Sequence, residues 1–474
     1  MILNVMNQVL ALPATQQADL LRSRAISSVE LVRAHLGRIA EVNPRVNAVI
    51  EILTEQALRS AADSDARMAA GNARLFEGVP FSVKDSIEIA GAVCTAGTVG
   101  RRNAAPATRD ATLVARLRRA GAIPIARTNL PDLLFAFETD NLLYGRTHHP
   151  HDTAYSSGGS SGGEAALIAS YGSPLGLGSD AAGSVRLPAA FCGIAAIKPT
   201  SGRLPRTGHV PPAGGWIEAL WQIGPMARSV ADLIAVLPVL AGADGFDYTS
   251  PDMPLDDATH VEVAGLRAAV YAGDCDAEVA AVVRAAAGRL NRAEETAPAC
   301  LDDAWELEMK LLGADGGDGV RGYLREIGSD PVHPLLTGWL DKLERYRTDV
   351  AGLQRYWSEW DQYRGDMADF ARQFDVLLCP AYSHAGLRHG ESIRDENFRG
   401  FRHTMAFNVA GWPAVVVRCG TSANGLPIAV QVAAAPWRED LALAVARHLE
   451  EARYGREQEE NGPLQGRAGA RIDS

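Results

Sequence analysis

The alternation of apolar and polar residues is clearest at GVPFSVKD (78–85), where Val79, Phe81 and Val83 recur at every second position. That is the period of a strand with one buried face, and Lys84 ends the run on the face opposite Val83. DATLVARLRRAG (110–121) is spaced as a helix stopped by Gly121, and AIPIART (122–128) then reads as a buried strand. Strand, helix and strand in that order predict an α/β fold with a mixed, largely parallel sheet. The first 70 residues predict helices, one opened by a capping box between Ser27 and Glu30 with Ile26 and Leu31 as its staple. GGEAALIASYG (162–172) is a further short helix ending on glycine. In TNLPDLLFAF (128–137), Leu130, Leu133, Leu134 and Phe137 fall at i, i+3, i+4 and i+7. That spacing predicts a buried helical stripe from which Phe135 stands apart.

Residues 245–372 change character, with long polar helical patterns such as LDDAWELEMKLL around a loose GADGGDG. Apolar strands return in DVLLCPA, PAVVVRCG and LPIAVQVAA (375–434). A strand region interrupted and then resumed predicts one domain over 1–454 carrying a helical cap inserted at about 245–372. The polar residues 455–474 predict a flexible tail.

Composition narrows the partners. A chain of 474 residues with 47% hydrophobic and 22% charged positions is that of a globular protein. Its formal net charge of −11 disfavours nucleic acid, which needs clustered Lys and Arg. The six cysteines have no CxxC spacing, so neither a zinc site nor a disulfide framework is signalled. No basic n-region of a signal peptide precedes Arg22 and no run of 18 apolar residues occurs, which predicts a cytoplasmic protein without membrane contact.

The chemistry concentrates in SSGGSSGGEAALIASYGSPLGLGSDAAGSVR (156–186), where Ser160 and Ser184 lie beside glycines. Gly158 and Gly163 have P-loop spacing, but Glu164 and Ala165 stand where Lys and Ser/Thr are needed, and a carboxylate repels phosphate. Gly159-Ser160-Ser161-Gly162-Gly163 matches the nucleophile elbow GxSxG. However, polar HHPHDTAYSS precedes it in place of an apolar strand, and no later histidine stands in a context that marks it as a base. A third chemistry uses lysine: a desolvated, neutral amine can take a serine's proton. Lys84, ending an apolar strand, is the candidate. Taken alone, a lysine in that place is more often a surface residue whose stem snorkels.

VPFSVKDSIEIAG, GGSSGGEAALIA and LGSDAAGSVRLPAAFCGIAAIKPTSGR, in that order, resemble the amidase signature family, and LPIAVQVAAAPW is similar to its closing strand. The resemblance spans roughly 75–235 and 375–450. It implies that family's α/β fold, a central sheet with helices on both faces, and a nucleophile at Ser184. It further implies a bridging serine after a cis peptide at Ser160 and the base at Lys84. The backbone N–H groups of Ala181, Ala182, Gly183 and Ser184 would form the oxyanion hole, with Ser161, Asp180 and Arg186 supporting the loops. The family usually has two glycines before the nucleophile, whereas this chain has Ala182-Gly183.

These residues together predict a hydrolase of an acyl–nitrogen bond, in a carboxamide or a hydrazide, working through an acyl-enzyme without metal or organic cofactor. The expected partner is a small-molecule substrate, with a homodimer left open. Leu134, Phe135 and Phe137 are expected to line the acyl pocket, and no Lys or Arg lies between 128 and 137 to pair with a carboxylate. Two other readings stand beside this one: the amidase subunit of a glutamine-dependent amidotransferase, and a binding protein of the same fold without catalysis.

Overall fold

The described strands of this chain pair into a single sheet. The computed structural model describes residues 2–212 and 215–461. Its strands are β1 (Val49–Ile52), β2 (Pro80–Lys84), β3 (Ile123–Thr128), β4 (Leu175–Asp180), β5 (Ala195–Lys198) and β6 (Gln222–Ala227), followed by β7 (Ala268–Val270), β8 (Ala293–Glu295), β9 (Val376–Pro380), β10 (Ala414–Thr421) and β11 (Pro427–Ala434). Among the described residues they form one sheet in the order β1-β3-β2-β4-β6-β5-β10-β11-β9-β7-β8.

Alternate side chains of each strand enter different cores. Val83, Leu177, Val415 and Val417 pack in one cluster with Val236 of the helix Val230–Leu240 and Val445 of the helix Glu439–Asn461. Val416 and Ala196 face the other way, against Ala165 and Ala189 of the helices Gly162–Ala169 and Arg186–Cys192. Helices thus cover both faces, and the central strands are buried on both sides for that reason, whereas β1 and β8 at the edges are largely exposed. Lys84 and Ser82 fall on the second face, beneath the helix Gly162–Ala169, whose Glu164 accepts a hydrogen bond from Ser82 at 2.6 Å.

Several expectations hold. Helices run Ile2–Ala11, Ala14–Arg22, Ser28–Val46 and Thr54–Ala69, and the third opens on the Ser27–Glu30 capping box. The strand at Pro80–Lys84 and the helices at Thr112–Arg119 and Gly162–Ala169 lie where the patterning put them.

Others need correction. The sheet is mixed, but among the described residues antiparallel pairings outnumber parallel ones six to four, so it is not largely parallel. The parallel part is local to β2, β3 and β4 and to β7, β8 and β9. Residues 245–372 are not helical throughout: β7 and β8 extend the sheet edge, and helices dominate only from 301 onward. Three-residue strands give too short a pattern for alternation to register. Nor is 128–137 a helix. Only Asp132–Leu134 makes a single 3₁₀ turn, and Leu133 and Leu134 have φ of 47° and 67°. The Leu133 N–H is donated to the Ala96 carbonyl, and Asn141 Nδ2 donates to the Leu130 carbonyl, so contacts across the fold override the helical period. The helix Glu439–Asn461 continues into the stretch expected to be a tail, and residues 462–474 lie outside the described residues.

Candidate active site

Parallel β2 and β4 lie side by side, with Ser82 opposite Gly176 and Val83 opposite Leu177, so their C-terminal ends deliver Lys84 and Asp180 to one crevice. That is where open α/β sheets place their sites. Lys84 is fully buried, and its Nζ lies 2.7 Å from Ser160 Oγ, 2.9 Å from Ser161 Oγ and 3.2 Å from Ser179 Oγ. Burial drives its amine well below the usual lysine range, although Asp180 and Glu164 pull the other way. Burial also raises Glu164 to about 8, against hydrogen bonds from Ser82 and Thr128 and the nearby Lys84. The carboxyl that argued against a phosphate loop is therefore a core group beneath the lysine.

The Gly159–Ser160 peptide is cis. A Cβ on Gly159 would stand 2.7 Å from the Glu138 nitrogen, so only glycine lets this turn sit so close to 136–138. The next residue, Ser161, donates its N–H to the Ser184 carbonyl at 3.0 Å, which ties the two serine loops together. Ser160 and Ser184 line one cavity. Exposure falls from 7% at Ser184 to 1% at Ser160 and 0% at Lys84, the order in which an incoming ligand meets them.

Asp180 and Arg186 hold the loop between them. The Asp180 carboxylate accepts from the N–H of Gly183 (2.8 Å) and Val185 (3.1 Å) and from Arg186 Nε and an Nη, both at 2.9 Å. Burial acts to raise this carboxyl, but the Arg186 guanidinium and the Asn408 amide outweigh it and keep it well below the usual carboxylate range. Arg186 also donates to the Thr404 carbonyl, Gln431 and Asn408, at 2.8, 2.7 and 2.6 Å.

The expected oxyanion donors divide. Ala181, Ala182 and Ser184 border the cavity, and among the described residues their N–H groups have no acceptor. Gly183 does not border it, and its N–H is already given to Asp180. Gly183 serves the loop in another way: its φ is 118°, and a Cβ there would lie 2.1 Å from Thr404 Oγ1. Alanine is tolerated at 182, whose carbonyl instead accepts from Thr404 Oγ1 at 2.8 Å.

The cavity holds about 190 Å³. Leu134, Phe135 and Phe137 line it, together with Leu133 and Ala136; a segment of irregular backbone exposes successive side chains that a helix would have dispersed. Trp221, Leu312, Trp339 and the unanticipated His209 line it too. No described Lys or Arg lines it. A larger cavity of about 500 Å³, beside Arg206, Glu218, Trp360 and Arg364, contains none of the predicted site residues, and its Arg206 is paired with Glu218 and Asp247.

Histidine does not act as the base of an elbow here. Among the described residues none hydrogen-bonds Ser160, Ser161 or Ser184; His209 bonds Ser179, and His403 bonds Ser383. No pattern in the chain pointed to Thr404, Asn408 or Ser179. Gln431, the one polar residue in LPIAVQVAA, was a signal, because a polar group inside a buried strand needs a partner.

Residues 30–443 match the sequence profile of the family described as Amidase. The chain belongs to the amidase family. It is 30% identical to human fatty-acid amide hydrolase 2 over 94% of this chain and 90% of that protein. It is 33% identical to a glutamyl-tRNA(Gln) amidotransferase subunit of Roseiflexus castenholzii, over 93% of this chain and 95% of that protein. A solved 6-aminohexanoate cyclic dimer hydrolase, complexed with substrate, superimposes with a TM-score of 0.83 at 29% identity, covering 94% of this chain and 97% of that one. As a member of the family the chain is a hydrolase of carbon–nitrogen bonds in amides. No described helix is long and apolar enough to cross a membrane.

Proposed function

We propose that the chain hydrolyses amides or hydrazides of small aromatic or alkanoic acids through an acyl-enzyme on Ser184. Neutral Lys84 takes the proton of Ser160, Ser160 takes that of Ser184, and the freed oxygen attacks the carbonyl carbon. The developing oxyanion meets the N–H groups of Ala181, Ala182 and Ser184; losing one such donor costs about 2.7–4 kcal/mol. Running backwards, the relay protonates the leaving nitrogen, and water then releases the acid. Asp180, Arg186 and Ser161 keep the two loops in register.

The observation that carries this reading is a buried lysine 2.7 Å from Ser160, which together with Ser184 borders a cavity that no described cation lines. The cavity of about 190 Å³ lies below the roughly 300–1,000 Å³ of drug-sized sites, which favours a short acyl half. Leu134, Phe135 and Phe137 supply apolar contact, at about 0.8 kcal/mol per buried CH₂. The second reading, a component of a glutamine-dependent amidotransferase, has the support of the amidotransferase relatives. Against it, glutamine brings an α-ammonium and an α-carboxylate, and among the described residues the one carboxylate on the wall, Asp180, is already paired with Arg186. Measuring kcat/KM of the purified chain across benzamide, benzoyl hydrazide, short alkanamides, glutamine and asparagine decides between them. The apolar substrates are expected to lead by at least tenfold. Glutamine as the best substrate overturns the proposal.

A further inference from the structure

Behind Lys84 lies a chain of hydrogen bonds whose direction can be read from the chemistry of its end group. Pro211 offers a carbonyl to His209 Nδ1 at 3.0 Å, and a carbonyl can only accept, so Nδ1 carries hydrogen. His209 is buried, and that burial, reinforced by Arg206, lowers it to about 3 despite the Pro211 bond, so the ring is neutral. Its Nε2 therefore bears a lone pair, and Ser179 Oγ, 3.1 Å away, must donate to it. With its proton committed, Ser179 presents only acceptor capacity to Lys84 at 3.2 Å. The Ser161 hydroxyl has the Ser179 carbonyl as acceptor at 3.3 Å and so accepts from Lys84 at 2.9 Å. A neutral amine has two hydrogens and one lone pair. Ser179, through Oγ at 3.2 Å and its carbonyl at 3.4 Å, shares one hydrogen, Ser161 takes the other, and the lone pair is left facing Ser160 at 2.7 Å.

We infer that His209 is a positioning residue: through Ser179 it fixes the direction of the hydrogen bonds around Lys84, so that the amine's lone pair is held toward Ser160. This role rests on the relay proposed for Lys84, Ser160 and Ser184. The proton balance is simple. Ser184 loses a proton, Ser160 gains one and passes one on, and Lys84 becomes an ammonium whose new hydrogen points at Ser160 while its other two bonds stay. Without His209 the Ser179 hydroxyl is free to turn and donate to Lys84, and it then competes with Ser160 for the only lone pair.

A double-mutant cycle on the full chain tests this, with kcat and KM read on one good amide. His209→Phe keeps a ring against Trp221, now packed at a centroid distance of 4.4 Å, but offers no acceptor. It is expected to lower kcat at least tenfold with KM within threefold. His209→Gln places an oxygen near the position of Nε2 and should recover most of that loss. In a Ser179→Ala background no hydroxyl remains to misdirect, so His209→Phe should cost less than threefold there. Equal costs in the two backgrounds, a KM effect alone, or a Gln variant as poor as Phe overturns the inference. His209→Leu replaces the Phe variant should that one fail to fold. The underlying relay is checked separately with Lys84→Met and Ser184→Ala. If those two are inactive while the cycle is additive, only the role of His209 falls; if they remain active, the relay itself falls.

Discussion

Lys84 can serve as a base because burial shuts its amine away from bulk water. A lysine in water holds its proton to a pH near 10.5, whereas burial under the helix Gly162–Ala169 lowers that value substantially. In the proposed relay the active form is the deprotonated one, so activity is expected to rise with pH through the lysine's lowered pKa and to be lost on the acid side. A pH–kcat/KM profile should show one ascending limb with its midpoint well below 10.5. Lys84→Met, similar in length but without a basic lone pair, should lose at least a thousandfold in kcat on amides at every pH. Retention of most activity by that variant contradicts the role given to Lys84. The lysine itself was legible in the sequence, since alternation put it opposite Val83 at the end of a strand. Its burial was not, because the helix that covers it lies some eighty residues further along. Ser179 and His209 stayed hidden for the same reason: hydrogen-bond partners brought together by the fold leave no periodic trace.

At the scale of elements, regular patterns read well and compact irregular ones did not. The capping box, the strand before Lys84 and the helix after Gly162 follow from local spacing alone. The segment 128–137 failed as a helix although its leucines have helical spacing. It is buried on several sides at once, so apolar residues recur for reasons other than a single helix face. Strand direction was legible only where a helix joins neighbouring strands, as between β2 and β3; the antiparallel pair β5–β10 arises from the chain's return after residue 375, and β10–β11 is a hairpin of consecutive strands. The helices Ala304–Gly313 and Pro334–Glu344 bring Leu312 and Trp339 to the wall of the cavity, and Trp339 meets Phe135 edge-on at 6.1 Å. If these helices set the length of the pocket, Trp339→Leu should raise kcat/KM for hexanamide relative to acetamide by roughly tenfold, since one or two methylenes carry about 1–3 kcal/mol. An unchanged ratio would show that the pocket ends elsewhere.

For the whole molecule, the proposed relay joins loops distant along the chain but adjacent in space. β2 ends on Lys84, β4 leads into the Ser184 loop, and the turn at 158–161 closes between them. Family membership establishes amide hydrolysis in general, and the wall of the cavity, free of described cations, argues for the apolar substrates proposed. The central claim is that Ser184 alone carries the acyl group. Incubating the full chain with a slowly released acyl donor, such as p-nitrophenyl benzoate, and measuring intact and peptide masses tests it most directly. One benzoyl adduct is predicted, on the peptide containing Ser184 and absent from Ser184→Ala, although that variant melts at the wild-type temperature. An adduct on Ser160 or Ser161, or an undiminished adduct in Ser184→Ala, would contradict it.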